Sequence, residues 1–186
     1  MIDKLELEDK ILQLIRIAEI NIQCCLEIST HLSDEKIKDV KYLNSDTTRF
    51  LILTMTNYFF ETINILNTLL YPTQEDKEIS IILWNKKFNT DKNTEDDIIE
   101  IKKEFRTLHF VEIRQNISSH KNIKKAGDPE IYALMTIKRS FLSNLLGIIE
   151  KIKKGIFSDR WFELPVCNNY LEDAISGLKE ILAQTK

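Results

Sequence analysis

The sequence predicts an all-α protein, and two observations carry the prediction. Apolar residues recur three and four apart over long stretches, the spacing of amphipathic helices. Only four Gly and three Pro punctuate 186 residues, which leaves sheets and Gly-rich turns little support. With 43% hydrophobic residues the chain can bury one sizeable core, and it is too short for two ordinary domains, so residues 1–186 read as a single domain.

The elements follow in order. From Ile2 to Leu32 the apolar positions Leu7, Ile11, Leu14, Ile15, Ile22 and Leu26 predict a long first helix. Ser33 and Asp34 break it, and the polar piece to Ser45 can form a short helix over Ile37 to Leu43. Ser45 or Asp46 caps a second long helix that reaches Tyr71 and is stopped by Pro72. Its narrow polar stripe, Thr54, Asn57, Glu61, Asn64 and Thr68, is either a solvated edge or a second wall of an active site. Within residues 74–90 the apolar run Ile79 to Trp84 favours a short helix.

Asn89 to Thr94 is a loop, and Thr94 with Glu95, Asp96 and Asp97 caps a third long helix and places acids in its first turn. That helix turns Ile98, Ile101, Phe105, Leu108 and Ile113 inward and leads into Glu112 to Asn122, the stretch where functional side chains crowd together. Gly127, Asp128 and Pro129 make a turn, with Pro129 at the first position of a fourth long helix that ends near Lys154, before Gly155. Lys151, Lys153 and Lys154 suit its C-terminal dipole. Phe157 to Pro165 is an irregular aromatic link, and Asn168 or Asn169 caps a last helix through Ala183. Four long helices with short connections imply an up-and-down bundle with one further helix alongside.

Charge and composition narrow the function. A net charge of −3 argues against a surface that grips nucleic acid throughout, but no acid interrupts the basic run between Ile113 and Gly127. The acids Asp3, Glu6, Glu8 and Asp9 stand where a signal peptide needs a basic region, and no apolar run of about 18 residues appears. A cytoplasmic protein without a membrane anchor is expected. Cys24, Cys25 and Cys167 read as small hydrophobes, which fits a reducing compartment. The four glycines stand far apart, so no phosphate-binding loop is present; and His31, His109 and His120 are preceded three residues earlier by Ile28, Arg106 and Ile117, which does not suit a di-iron bundle. No cofactor and no metal is expected. His31 reads as a polar residue near the end of the first helix, and His109 as a core histidine or a supporting partner of the cluster.

On an ideal helix Glu112, Asn116 and His120 fall on one stripe with Phe105, Leu108, His109 and Ile113. A carboxylate, an amide and an imidazole on an apolar face are costly unless they find partners or do work. Arg114 lies at the edge of that face. An imidazole can exchange a proton near neutral pH, and a guanidinium can hold an anionic group through two hydrogen bonds.

The run Arg114-Gln115-Asn116-Ile117-Ser118-Ser119-His120 resembles the R-x4-6-H signature of the HEPN superfamily, and the helical architecture is similar to its abortive-phage-infection branch. The resemblance implies a metal-independent endoribonuclease of a phage-defence or toxin–antitoxin system, acting as a homodimer and countered by an antitoxin protein. It assigns Arg114, Asn116 and His120 to catalysis, with Gln115, Lys121 and Asn122 contacting the RNA. Two other readings stand beside it: a solvated helix edge, and a non-catalytic HEPN-like module that dimerises and binds a protein partner or nucleotide.

Overall fold

The structure, a computed structural model, describes residues 3–33, 46–74, 77–89, 91–108, 139–161 and 167–184. All the secondary structure among them is helical, in agreement with the expected class. The pieces on which the Ile37 to Leu43 helix and the Gly127 to Pro129 turn were expected lie outside the described residues.

Helix α1, Lys4–Ser33, is the hub. It packs against four other helices and buries Leu7, Ile11, Ile15, Ile22, Ile28 and Leu32 completely. Each such side chain contributes about 1.5–3 kcal/mol of transfer free energy, so this one helix supplies much of the driving force for folding. Asp3 starts it: its carboxylate accepts the Glu6 N–H at 2.7 Å.

Helix α2, Asp46–Leu70, runs antiparallel to α1. Thr62 Oγ1 lies 3.4 Å from the Ala18 carbonyl oxygen, and Cys25 Sγ donates to the Met55 carbonyl at 3.3 Å, so seven residues up one helix match seven down the other. The small side chain of Ala18 permits that approach. Along the polar stripe Asn57, Glu61, Asn64 and Thr68 are exposed and Thr54 is half-buried, as a solvated edge requires.

Helix α3, Ile81–Phe88, is the short helix expected within residues 74–90, and Ser80 Oγ caps it by accepting the Leu83 N–H at 3.1 Å. Helix α4, Lys92–Thr107, begins earlier than the sequence suggests. Asp91, rather than Thr94, is the cap: its carboxylate accepts the N–H groups of Asn93 and Thr94, each at 3.2 Å, and the Thr94 hydroxyl at 2.9 Å. The end of α4 differs too. The helix ends at Thr107 with Leu108 as its cap, and the Arg114 to His120 stretch into which it was expected to lead lies outside the described residues. Thr107 Oγ1 donates to the Glu104 carbonyl at 2.7 Å, the acceptor an α-helix would offer Leu108, and the Leu108 N–H turns to Phe105 O at 3.3 Å instead.

Helix α5, Arg139–Lys151, lies within the range expected for the fourth long helix. Gly155 does not end it as expected. A π turn, Ile152–Ile156, carries the chain past Gly155, and the Phe157 N–H reaches back five residues to Ile152 O at 3.3 Å. Ser158–Trp161 then forms a short helix, α6, inside the segment read as irregular. Helix α7, Cys167–Gln184, starts slightly before the expected Asn168 or Asn169 cap, both of which fall in its first turn. Helix α4 packs on α5 and the π turn, and Tyr71 just beyond α2 joins it by donating to Lys102 O at 2.7 Å and stacking on Phe105. No helix among the described residues is long and apolar enough to cross a membrane.

Candidate functional site

Arg114, Gln115, Asn116, His120, Lys121 and Asn122, together with His109 and Glu112, lie outside the described residues. The described chain stops before them at Leu108 and resumes after them at Arg139. His31 is half-buried in the last turns of α1 and Glu61 is exposed on α2. Cys24 and Cys25 are buried free thiols, and burial pushes both thiols up from their ordinary range, which makes them poor nucleophiles.

The described residues gather polar groups at two places that sequence reading passed over, both on α1. Positions 8, 12, 15, 19 and 22 form one helical stripe, and on it Glu8 and Glu19 stand among Leu12, Ile15 and Ile22. Two carboxylates on an apolar stripe were the available signal.

Glu19 is 6% exposed and both its oxygens are occupied. Arg16 Nη1 donates to one at 2.7 Å and Lys153 Nζ to the other at 2.7 Å; Lys153 also donates to Glu150 at 2.7 Å. The π turn places Lys153 here: Ile152 and Lys153 are both buried, although they are adjacent. The chain of charge continues to the surface, where Lys154 Nζ lies 3.1 Å from the other Glu150 oxygen. The Lys153 hydrogen bond, opposed by partial burial and helped by Lys154, holds the Glu150 carboxyl below its ordinary pKa. With both oxygens bonded to cations, Glu19 is fixed as a structural acceptor and is badly placed to collect a substrate proton.

Glu8, 4% exposed, accepts the Trp84 indole N–H at 2.8 Å, and its second oxygen lies 3.6 Å from Arg160 Nε. Arg160 also donates through Nη2 to Asp9. Phe157 packs on the Trp84 ring at 5.1 Å between centroids. The segment after α5 is thus registered on α1 at two buried carboxylates, Glu19 first and Glu8 second.

An open groove of about 490 Å³ lies between α4 and the π turn, with Asp97, Glu100 and Ile101 on one side and Glu150, Lys154 and Gly155 on the other. Lys151 bridges its walls, donating to Glu104 at 2.6 Å and lying 3.4 Å from Glu100; the Glu104 bond raises its pKa. Among the described residues no group of three His, Cys, Asp or Glu side chains is arranged to hold a metal ion.

The described fold defines an all-α protein whose central helix carries paired, buried charges. No family model matches the chain, and no curated protein or solved structure matches it either.

Proposed function

We propose that the chain is a metal-independent endoribonuclease of a phage-defence or toxin–antitoxin system, acting on cytoplasmic RNA. The observation that carries the reading is the pairing of Arg114 with His120 at the R-x4-6-H spacing, with Gln115 and Asn116 between them and a basic run after them. The all-α class supports it, because the superfamily it resembles is helical; within that reading the chain is an up-and-down bundle with a further C-terminal helix.

The mechanism follows from the side chains. His120, as the neutral imidazole, takes the proton of a ribose 2′-OH, whose oxygen then attacks the adjacent phosphorus. Arg114 holds two phosphate oxygens and stabilises the charge that accumulates on them. Asn116 orients the imidazole or the phosphate, while Gln115, Lys121 and Asn122 contact the strand. The 5′-oxygen leaves with a proton, giving a 2′,3′-cyclic phosphate and a 5′-hydroxyl. A nucleophile carried by the substrate itself would confine the reaction to RNA. The deciding experiment incubates the purified full chain with labelled RNA in excess EDTA. Cleavage with cyclic phosphate ends supports the reading, and a strict need for magnesium ends it.

A second reading is a non-catalytic module that dimerises and binds a protein partner or nucleotide. What favours it is the pair Phe50 and Leu53, one turn apart on α2 and 64% and 50% exposed, an apolar surface that a partner would cover. A stable dimer that leaves RNA intact would select this reading over the first.

A further inference from the structure

We infer that residues 152–161 form a hinged strap, with the π turn as hinge and with Phe157 and Arg160 as a latch seated on Trp84, Glu8 and Asp9. The upstream end is fixed, because Ile152 is fully buried and Lys153 is bonded to Glu19 and Glu150. Beyond Lys153 the backbone weakens. Helical turns closed by hydrogen bonds spanning five residues are rare and mostly single, and the bond closing this one, from Phe157 to Ile152, is 3.3 Å long. Gly155 lies in the turn, and Phe157 leaves helical backbone at φ −123° and ψ 27°.

The four residues of α6 are far too few to hold a helix by themselves. Their main helix-to-helix packing is on the π turn, which belongs to the same strap. Ile156 packs against the core from within the turn, and the side chains beyond the turn that reach the rest of the fold include Phe157 and Arg160. Phe157, 2% exposed, covers the Trp84 ring, and Arg160 reaches Asp9 and Glu8. The outer half of that latch meets water, since the side chains of Arg160 and Asp9 are 27% and 44% exposed. The inner half does not: the Glu8 side chain is 5% exposed. Segments held by few buried contacts open below the free energy of global unfolding. Opening here unseats Phe157 and Arg160 together, because both follow the hinge, and it bares the Trp84 indole and the Glu8 carboxylate while the α1–α2 core stays closed.

The test is native-state hydrogen exchange on the full chain, resolved by residue, for the wild type, Arg160→Ala and Asp9→Asn. Amides of residues 157–161 are expected to exchange faster than those of Ile52, Met55 and Phe59. Arg160→Ala should speed residues 157–161 by about tenfold, the loss of a charge-assisted hydrogen bond, and leave the three α2 amides unchanged. Asp9→Asn, which removes only the water-exposed partner, should act in the same direction by a smaller factor. Exchange of residues 157–161 in step with the α2 amides in the wild type would overturn the strap. So would an equal acceleration at all these amides in both variants, which would mean the latch belongs to the global unit.

Discussion

Lys153 Nζ lies 2.7 Å from Glu19 Oε1, bonding a residue of the π turn to one in the middle of α1, 134 positions earlier. A lysine at the C-terminal end of a helix is ordinarily solvated, and Lys154 next to it is, with 80% of its side chain exposed. The difference comes from the π turn, which brings Lys153 inward while Lys154 stays out.

That contrast predicts unequal costs. Lys153→Ala leaves Glu19 with Arg16 and one unfilled oxygen in a buried setting, and removing one partner of a buried pair costs about 3–5 kcal/mol. Because Arg16 remains, a loss near the lower figure is expected in urea unfolding. Lys154→Ala breaks a pair that water already screens and should cost under about 1 kcal/mol. Equal losses would show that burial does not set the difference.

Glu150 predicts a pH dependence. Its carboxyl is held below the ordinary value in the folded chain, first by the Lys153 hydrogen bond, so the folded state binds that proton more weakly than the unfolded one. The resulting stabilisation is complete above the unfolded-state pKa and is lost as pH falls through the folded one. Acid titration of stability should therefore be shallower in Glu150→Gln than in the wild type below the ordinary carboxylate range. A variant as steep as the wild type would remove Glu150 from the account.

The class and most helix positions were legible because local signals set them. Pro72 stops α2, Ser80 caps α3, and apolar spacing marks the buried faces of α1 and α5. The misreadings have tertiary or side-chain causes. Asp91 outcompetes Thr94 as a cap because its carboxylate accepts two backbone N–H groups and the Thr94 hydroxyl as well. Thr107 ends α4 by taking a carbonyl that the apolar pattern assigns to Leu108. Gly155 fails to stop the helix because the turn around it is held through Lys153 and Glu19, a contact no local window contains. Of the candidate site, Arg114 to Asn122 was legible as a motif, whereas the charge pairs at Glu8 and Glu19 needed the packing of distant segments to become visible.

Two glycines offer a test of the helix surfaces. Gly147 is exposed within α5, and a Cβ there would meet nothing within 4 Å, so Gly147→Ala should raise stability by about 0.5–1 kcal/mol through helix propensity. At Gly155 a Cβ would come 3.3 Å from Asp97 Oδ2, so Gly155→Ala must first displace that carboxylate from the wall of the groove. Its gain should be smaller than that of Gly147→Ala in the same thermal melts. The reverse order would mean that Asp97 does not pack against the turn.

For the proposed activity, His120→Ala and Arg114→Ala should each abolish RNA cleavage, and any toxicity on expression, while helix content by circular dichroism stays unchanged. His31, half-buried on α1, should tolerate replacement by Ala with little change in activity. Cleavage retained by His120→Ala would remove the general base from the scheme.

The proposed mechanism needs Arg114 and His120 on one phosphate, and that requirement predicts a dimer. Six residues along an ideal helix separate them by about 120° in azimuth and about 9 Å along the axis, which does not favour convergence within one chain. In a two-fold dimer the same segment of each chain faces its copy, so the His of one protomer can meet the Arg of its partner. Mixing Arg114→Ala and His120→Ala chains after denaturation tests this, because a shared site regenerates one intact pair in each mixed dimer. With about half the dimers mixed and one good site of two in each, recovery should approach about a quarter of wild-type activity. If dimers shown to be mixed recover no activity while the wild type cleaves, the site belongs to a single chain and Arg114 and His120 must converge by a bend between them.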